Sequence, residues 1–297
     1  MPRVQVSTGI ELEYATAGDP ADTPLLMVNG FTAQMISWRG FIDVLVAQGL
    51  YVISFDNRDC GLSAKLDGQH VDVGKILAAQ MAGEPLPDDV PYTLSDMAAD
   101  GVALLEHLGI DRAHIAGSSM GGMIVQTMAI EYPDRIASLT SIMSGPGDQR
   151  VGRPTTEARD ALLAPQPADR DEYVESFMLA EVWQSKKYFD PVAVRELGAK
   201  SFDRSYYPEG ATRQLAAVYA SGDRSARLAA LDVPTLVVHG RDDTLIKPDG
   251  GERTAELVPG ARLLFVSDMG HDLPEPLWPM IAEAIGGHIR TAGVSAA

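Results

Sequence analysis

The chain has a single cysteine, Cys60, among 297 residues. No internal disulfide can therefore staple it, and such usage fits a reducing compartment, so the expected location is the cytoplasm. Cys60 stands between Asp59 and Gly61 in a loop-like stretch and is read as a buried or incidental thiol rather than a nucleophile. Long apolar runs are also missing. None approaches the roughly 20 residues of a membrane span, and the opening residues Met1 to Ser7 lack the apolar core of a secretory signal. Basic residues are scarce: 24 Lys and Arg against 41 Asp and Glu leave a formal charge of −17. Nucleic acid and anionic membrane, which need clustered cations, are excluded as expected partners. No Cys/His cluster has zinc spacing, and neither G-x-x-x-x-G-K-[ST] nor G-x-G-x-x-G occurs. No cofactor and no metal are expected.

What the chain does have is a short apolar run that ends in small residues, Ala113-His114-Ile115-Ala116-Gly117-Ser118-Ser119-Met120-Gly121-Gly122-Met123. Gly117-x-Ser119-x-Gly121 fits a sharp strand-to-helix turn that lifts a serine hydroxyl clear of its own backbone. A hydroxyl is a poor nucleophile until it meets a base and a carbonyl together. The flanking glycines remove the β-carbons that would collide where strand and helix nearly touch. Five residues are a short motif, and Ser119 could equally be a small residue in a tight turn, so the rest of the chain has to supply its partners.

Read in order, Val4–Val6 and Ile10–Tyr14 alternate apolar and polar as an antiparallel edge hairpin. Leu25–Val28 and Tyr51–Phe55 are fully apolar strands, followed by the polar turns Asn29-Gly30-Phe31-Thr32 and Asp56 to Ser63. Helical spacing covers Met35 to Ala47. Ala64 to Pro91 reads as a long excursion with one short helix, and Thr93 or Ser95 caps a helix that Gly109 ends. Leu139–Met143 is another strand. From Gly145 to about Arg227 strand-like runs vanish and helical stretches take over (155–163, 172–184, 191–197, 213–219). Strand–helix alternation then resumes with Thr235–His239, a helix after Pro248, Arg262–Val266 and a last helix from Trp278 to Ile289.

Such alternation specifies an α/β fold with a mostly parallel central sheet flanked by helices. The expected division is a core of residues 1–144 and 228–297, interrupted by a helical cap at 145–227. In sheets of this kind the active site lies beyond the carboxyl ends of the strands, and every polar turn noted above sits at such an end.

A serine nucleophile in this fold needs an acid and then a histidine further along the chain. Of six histidines, His114 and His239 sit in or at the end of strands, His107 and His288 on helices, and His70 in the early excursion. His271, after Gly270 in the loop following the last strand, is the expected general base. The preceding loop offers Asp242 and Asp243; Asp243 is chosen because the chain needs several residues to turn back toward the serine. Asp268 and Asp272 flank the histidine too closely and are read as capping or solvating its loop. Two backbone amides must receive the oxyanion: Met120, next after the nucleophile, and Phe31 in the loop after Leu25–Val28.

With these residues in place, the chain resembles the α/β-hydrolase-fold family over nearly its whole length. Asn29-Gly30-Phe31 is similar to the family's His-Gly-x turn, and residues 56–63 to its D-x-R-G-x-G-x-S loop, with Asn29 and Asp59 replacing the usual His and Gly. Within that family it most resembles aclacinomycin-methylesterase-like enzymes and related mycobacterial lipase/esterases, through Asp56-Asn-Arg-Asp59, Met120 to Ile124, Phe202 to Gly210 and Arg213-Gln214. The resemblance implies ester hydrolysis through an acyl-enzyme, on a small to medium hydrophobic ester such as the methyl ester of a polyketide-like ring or a short-chain acyl ester. Haloperoxidases without cofactor, lactonases and C–C bond hydrolases share the same residues, and a ligand receptor on a hydrolase fold is a more remote alternative.

The cap's apolar residues, among them Tyr173, Phe177, Met178, Trp183 and Tyr188, are expected to pack it onto the core, a subset lining an apolar pocket. Phe31, Trp38, Met143, Phe177, Met178 and Trp183 are the candidate substrate contacts, with Trp38, Met81 and Met143 serving as pocket wall or helix core. A homodimer is compatible with the sequence, which does not fix the oligomeric state.

Overall fold

A computed structural model of the chain describes residues 1–38, 40–84, 87 and 90–292, the side chains of 80 and 81 excepted; the expected wall residue Met81 lies outside what is described. Eight strands form one sheet in the order β1-β2-β4-β3-β5-β6-β7-β8. They are β1 (Arg3–Gln5), β2 (Glu11–Ala17), β3 (Thr23–Val28), β4 (Leu50–Phe55), β5 (Ala113–Ser118), β6 (Ile136–Ile142), β7 (Thr235–Gly240) and β8 (Arg262–Val266). β2 runs antiparallel to both its neighbours, β1 and β4; the pairings from β4 through β3, β5, β6 and β7 to β8 are parallel.

The helices are α1 (Phe41–Val46), α2 (Val73–Ala82), α3 (Leu94–His107), α4 (Met120–Glu131), α5 (Thr156–Leu162), α6 (Arg170–Ser176), α7 (Pro191–Arg204), α8 (Glu209–Ser221), α9 (Ser225–Leu228), α10 (Pro248–Leu257) and α11 (Trp278–Ala292). None of the described helices is long and apolar enough to cross a membrane. Helices cover the sheet on both faces, which is why its central strands are apolar throughout instead of alternating. On one face α3 and α4 press Met97, Leu104, Ile124 and Met128 against Leu26, Val28 and Ile115. On the other, α1 and α11 press Phe41, Leu45, Ile281 and Ile285 against Leu25, Met27, Val52 and Val238.

Two expected helices come out differently. Met35 to Ala47 is a 3₁₀ turn (Met35–Trp38) followed by α1, the described chain resuming at Gly40. The stretch 172–184 divides into α6 and a 3₁₀ segment, Phe177–Val182. Tyr173 and Phe177 pack there as a tilted pair at 5.2 Å between ring centroids, and the Ser176 hydroxyl donates to the Tyr173 carbonyl at 2.6 Å. Such a side-chain bond competes with the helical ladder.

Between β6 and β7 the chain forms only helices, α5 to α9. Its outgoing and returning segments lie side by side: the Arg224 amide donates to Pro146 O at 2.8 Å, and its guanidinium donates to the Gly145 and Gly222 carbonyls. A β-carbon on Gly147 would fall 2.3 Å from Gly222 O, so only glycine permits that approach.

Candidate active site

Only Ser119 separates the end of β5 from the start of α4. It turns the chain at φ 57° and ψ −121°, a region costly for any residue with a side chain and concentrated at functional sites. The glycines make the turn possible: a β-carbon on Gly117 would lie 2.2 Å from Gly121 O, and one on Gly121 would lie 2.1 Å from Val28 O. The Ser119 amide is anchored to the end of β6 through Ile142 O at 2.9 Å.

The loop after β7 carries Asp243, buried at 3% exposure, whereas Asp242 faces solvent. Asp243 Oδ1 accepts the Leu245 and Ile246 amides at 2.8 and 2.9 Å. Its Oδ2 sits 2.7 Å from His271 Nδ1 and 3.4 Å from His239 Nε2. Burial alone would push this carboxyl up, but the charge of His271 and the bonds from both imidazoles outweigh it and hold the pKa below the ordinary aspartate value. With Nδ1 bound to the carboxylate, the remaining ring nitrogen of His271 is the one left for a proton. Among the described residues no hydrogen bond yet joins Ser119 to His271; the two side chains line one cavity.

Three of the other histidines have hydrogen-bond partners of their own. His114 pairs with Ser138 Oγ at 2.7 Å, and burial pushes its pKa down to about 4. His288 faces the Pro234 carbonyl and His239 that of Ile246.

The loop after β3 lies against the nucleophile: a β-carbon on Gly30 would be 3.1 Å from Ser119 Cβ. The Phe31 amide has no protein acceptor among the described residues, and the Met120 amide opens α4, where backbone donors lack an intrahelical partner. The loop 56–63 braces this region. Asp56 accepts the Met35 and Leu62 amides, Asn57 donates to Asn29 O, and Ser63 ties back to Asp56 O.

The cavity holds about 710 Å³, in the range of a site for a drug-sized ligand. Of the candidate substrate contacts, Phe31, Trp38, Met143 and Trp183 line it, together with Tyr188, Leu245 and others. Phe177 and Met178 are not among the lining residues; Phe177 instead packs against Tyr173 and over Gly198 within the helical segment. Among the described residues, the charged groups of the lining are Asp190, Asp272 and Glu275 beside His271, with no lysine or arginine.

Sequence reasoning missed how much of the site is built from the far side of the chain. Asp59, which stands where the resembled family has glycine, adopts φ 63°. It receives a fork of two hydrogen bonds from Arg213 at 2.7 and 2.8 Å and one from Tyr92 at 2.8 Å. Asp272 accepts the amides of Ser185 and Gly270, both at 3.1 Å. The His271 amide donates to Trp183 O at 2.7 Å. An acidic residue after the histidine and an Arg-Gln pair in a helix were the visible signals, but neither says what it will meet.

The sequence profile described as alpha/beta hydrolase fold matches residues 23–275. Rhodomycin D methylesterase DnrP of Streptomyces peucetius is 30% identical over 93% of this chain and 94% of its own length. A 2-hydroxy-6-oxononadienedioate/2-hydroxy-6-oxononatrienedioate hydrolase of Pseudomonas is 32% identical over 59% of this chain and 61% of its own. Among solved structures, the enol-lactonase of Burkholderia xenovorans LB400 superposes with a TM-score of 0.76 at 21% identity, covering 97% of this chain and 100% of that one.

Proposed function

This chain belongs to the alpha/beta hydrolase fold family, and from that premise we propose that it hydrolyses carboxylic esters with Ser119 as nucleophile, His271 as general base and Asp243 as the acid that orients it. The observation that carries the proposal is His271. Its Nδ1 is tied at 2.7 Å to a buried carboxylate, and its ring opens on the cavity that also receives the strained Ser119. Asp243 fixes the tautomer with the proton on Nδ1, so the far nitrogen takes the hydroxyl proton as Oγ attacks. The Met120 and Phe31 amides receive the oxyanion. The imidazolium returns its proton to the departing alcohol, and a water activated by the same ring releases the acid.

The lining residues support an uncharged, largely apolar ester. A dicarboxylate of the kind named for the Pseudomonas relative would meet Asp190, Asp272 and Glu275, with no cationic side chain among the described lining residues to receive it. A methyl ester, the group named for the Streptomyces relative, fits this charge distribution. The cap is proposed to cover residues 145–227 and the location to be cytoplasmic.

The test is labelling by a fluorophosphonate probe, followed by a panel of p-nitrophenyl esters, methyl esters and lactones. Ser119→Ala is expected to abolish labelling and to lower kcat for esters by about 10⁴-fold or more. A variant that kept most of the wild-type rate would end the proposal, and wild-type protein that binds esters without turnover would mark a receptor instead.

A further inference from the structure

The pair Arg213-Gln214 lies in α8 and lines no part of the cavity, yet one member reaches the loop that carries Phe31. Gln214 is fully buried. Its side-chain carbonyl accepts the Thr32 amide at 2.9 Å, and its side-chain amide donates to Arg58 O at 2.9 Å. Thr32 needs such a partner. It is β-branched and sits at φ 54°, the third position of a turn closed by Ala33 N–H to Gly30 O at 3.2 Å. Glycine is the usual occupant of a left-handed position there. A β-branched residue persists in it only where its surroundings over-determine the conformation.

The core holds the two ends of this loop, through Asn57 on Asn29 O and Asp56 on the Met35 amide. The strained middle is held differently. Gln214 takes the Thr32 N–H, and the Cys60 thiol donates to the Thr32 carbonyl at 3.2 Å. A thiol is a weak donor, so the Gln214 bond is the main restraint.

We infer that Gln214 is a positioning residue for the oxyanion hole: by pinning the Thr32 amide from the helical segment opposite, it fixes the left-handed turn that aims the Phe31 N–H at the reacting carbonyl. This rests on the hydrolase reading above. Without the bond Thr32 relaxes toward negative φ, the Gly30–Ala33 closure opens, and the Phe31 amide plane swings away from Ser119. The donor would then be misaimed when charge develops on the carbonyl oxygen, which costs rate and leaves substrate affinity alone.

The test is a double-mutant cycle on p-nitrophenyl butyrate hydrolysis. Gln214→Met, of similar volume but unable to accept the Thr32 N–H, is expected to lower kcat by about 10- to 100-fold, less than the full loss of an oxyanion donor, with KM within about threefold. In a Thr32→Gly background the left-handed turn is unstrained and holds itself. The same substitution is expected there to lower kcat by less than about threefold. Gln214→Asn, polar but a methylene too short to reach, stands in where the apolar variant does not fold, with the same loss and the same rescue expected. A kcat kept within about twofold, a loss confined to KM, or an equal loss in both backgrounds would each overturn the brace. Fluorophosphonate labelling of the wild type separates the two levels: no labelling removes the hydrolase reading and the brace together, whereas labelling with unaltered Gln214→Met kinetics removes the brace alone.

Discussion

At the scale of single residues, Asp272 is the carboxyl beside His271 whose titration its surroundings shift. Burial pushes its carboxyl pKa up to about 6, against the pull of the Ser185 and Gly270 amides and the charge of His271. An aspartate in the unfolded chain releases its proton near pH 4. Between about pH 4 and 6 the folded state therefore holds a proton that the unfolded chain has lost, and stability falls as pH rises through that window. Asp272→Asn keeps the accepting oxygen and removes the charge. It is expected to raise the unfolding free energy by about 1–2 kcal/mol at neutral pH and by nothing near pH 4. Urea unfolding at the two pH values checks this; an equal effect at both would mean that the charge is not the cost.

The contrast with Ser119, Asp243 and His271 shows what single residues reveal from sequence. As candidates those three were legible because each sits in a short segment whose glycines and position at a strand end announce a tight turn. The exposed Asp242 and buried Asp243 could be separated by the geometry of the returning loop. Asp272 was readable as a loop-capping group, but its burial was not, because the group that buries it, around Trp183 to Ser185, lies 87 residues away along the chain.

At the scale of elements, the segment between β6 and β7 is stitched to each loop of the proposed site. Thr244 Oγ1 donates to Val182 O at 2.9 Å, Ser185 Oγ to Asp268 O at 2.6 Å, and Lys187 pairs with Asp268 at 2.7 Å. On the other side Arg204 of α7 reaches Asp56 at 2.6 Å, and Arg213 of α8 reaches Asp59 across 154 residues. The last pair is the most consequential, because both side chains are withdrawn from water, at 5% and 0% exposure. Removing one partner of a buried ion pair strands the other, at about 3–5 kcal/mol. Arg213→Leu is expected to cost that much. In an Asp59→Gly background it should cost less than about 1 kcal/mol, since no carboxylate remains to be stranded and glycine accepts the φ of 63° without strain. Additive losses in urea unfolding would show that the pair is not coupled.

The periodicity of 191–197 and 213–219 revealed these helices but underestimated their length. Buried small or polar residues such as Ser201 and Gly210 break the apolar stripe that sequence reading follows. They are buried because they serve the interface between helices and core, and a pattern of apolar spacing cannot register that.

At the scale of the whole molecule, the charge of −17 was fully legible, and its consequence for binding depends on where the charge falls. Asp190 from one segment and Asp272 and Glu275 from another reach the cavity, with no lysine or arginine among the described lining residues. A low-dielectric cleft lined by one sign of charge focuses that field on whatever enters. An ester carrying a carboxylate is therefore opposed twice, by the overall field during approach and by the lining once inside. The two contributions respond differently to salt. The long-range part is screened as the Debye length falls from about 30 Å at 0.01 M to about 10 Å at 0.1 M, whereas close, partly buried charges are screened much less. Monomethyl succinate should therefore have a kcat/KM well below that of methyl butyrate at every ionic strength. The gap should narrow several-fold between about 0.01 and 0.1 M salt as the approach term fades, without closing, because the lining carboxylates remain. The neutral ester serves as the internal control, since its rate has no such field to lose. A ratio that ignores salt would confine the discrimination to the cavity, and equal rates for the two esters would remove the argument that the acidic lining selects uncharged substrates.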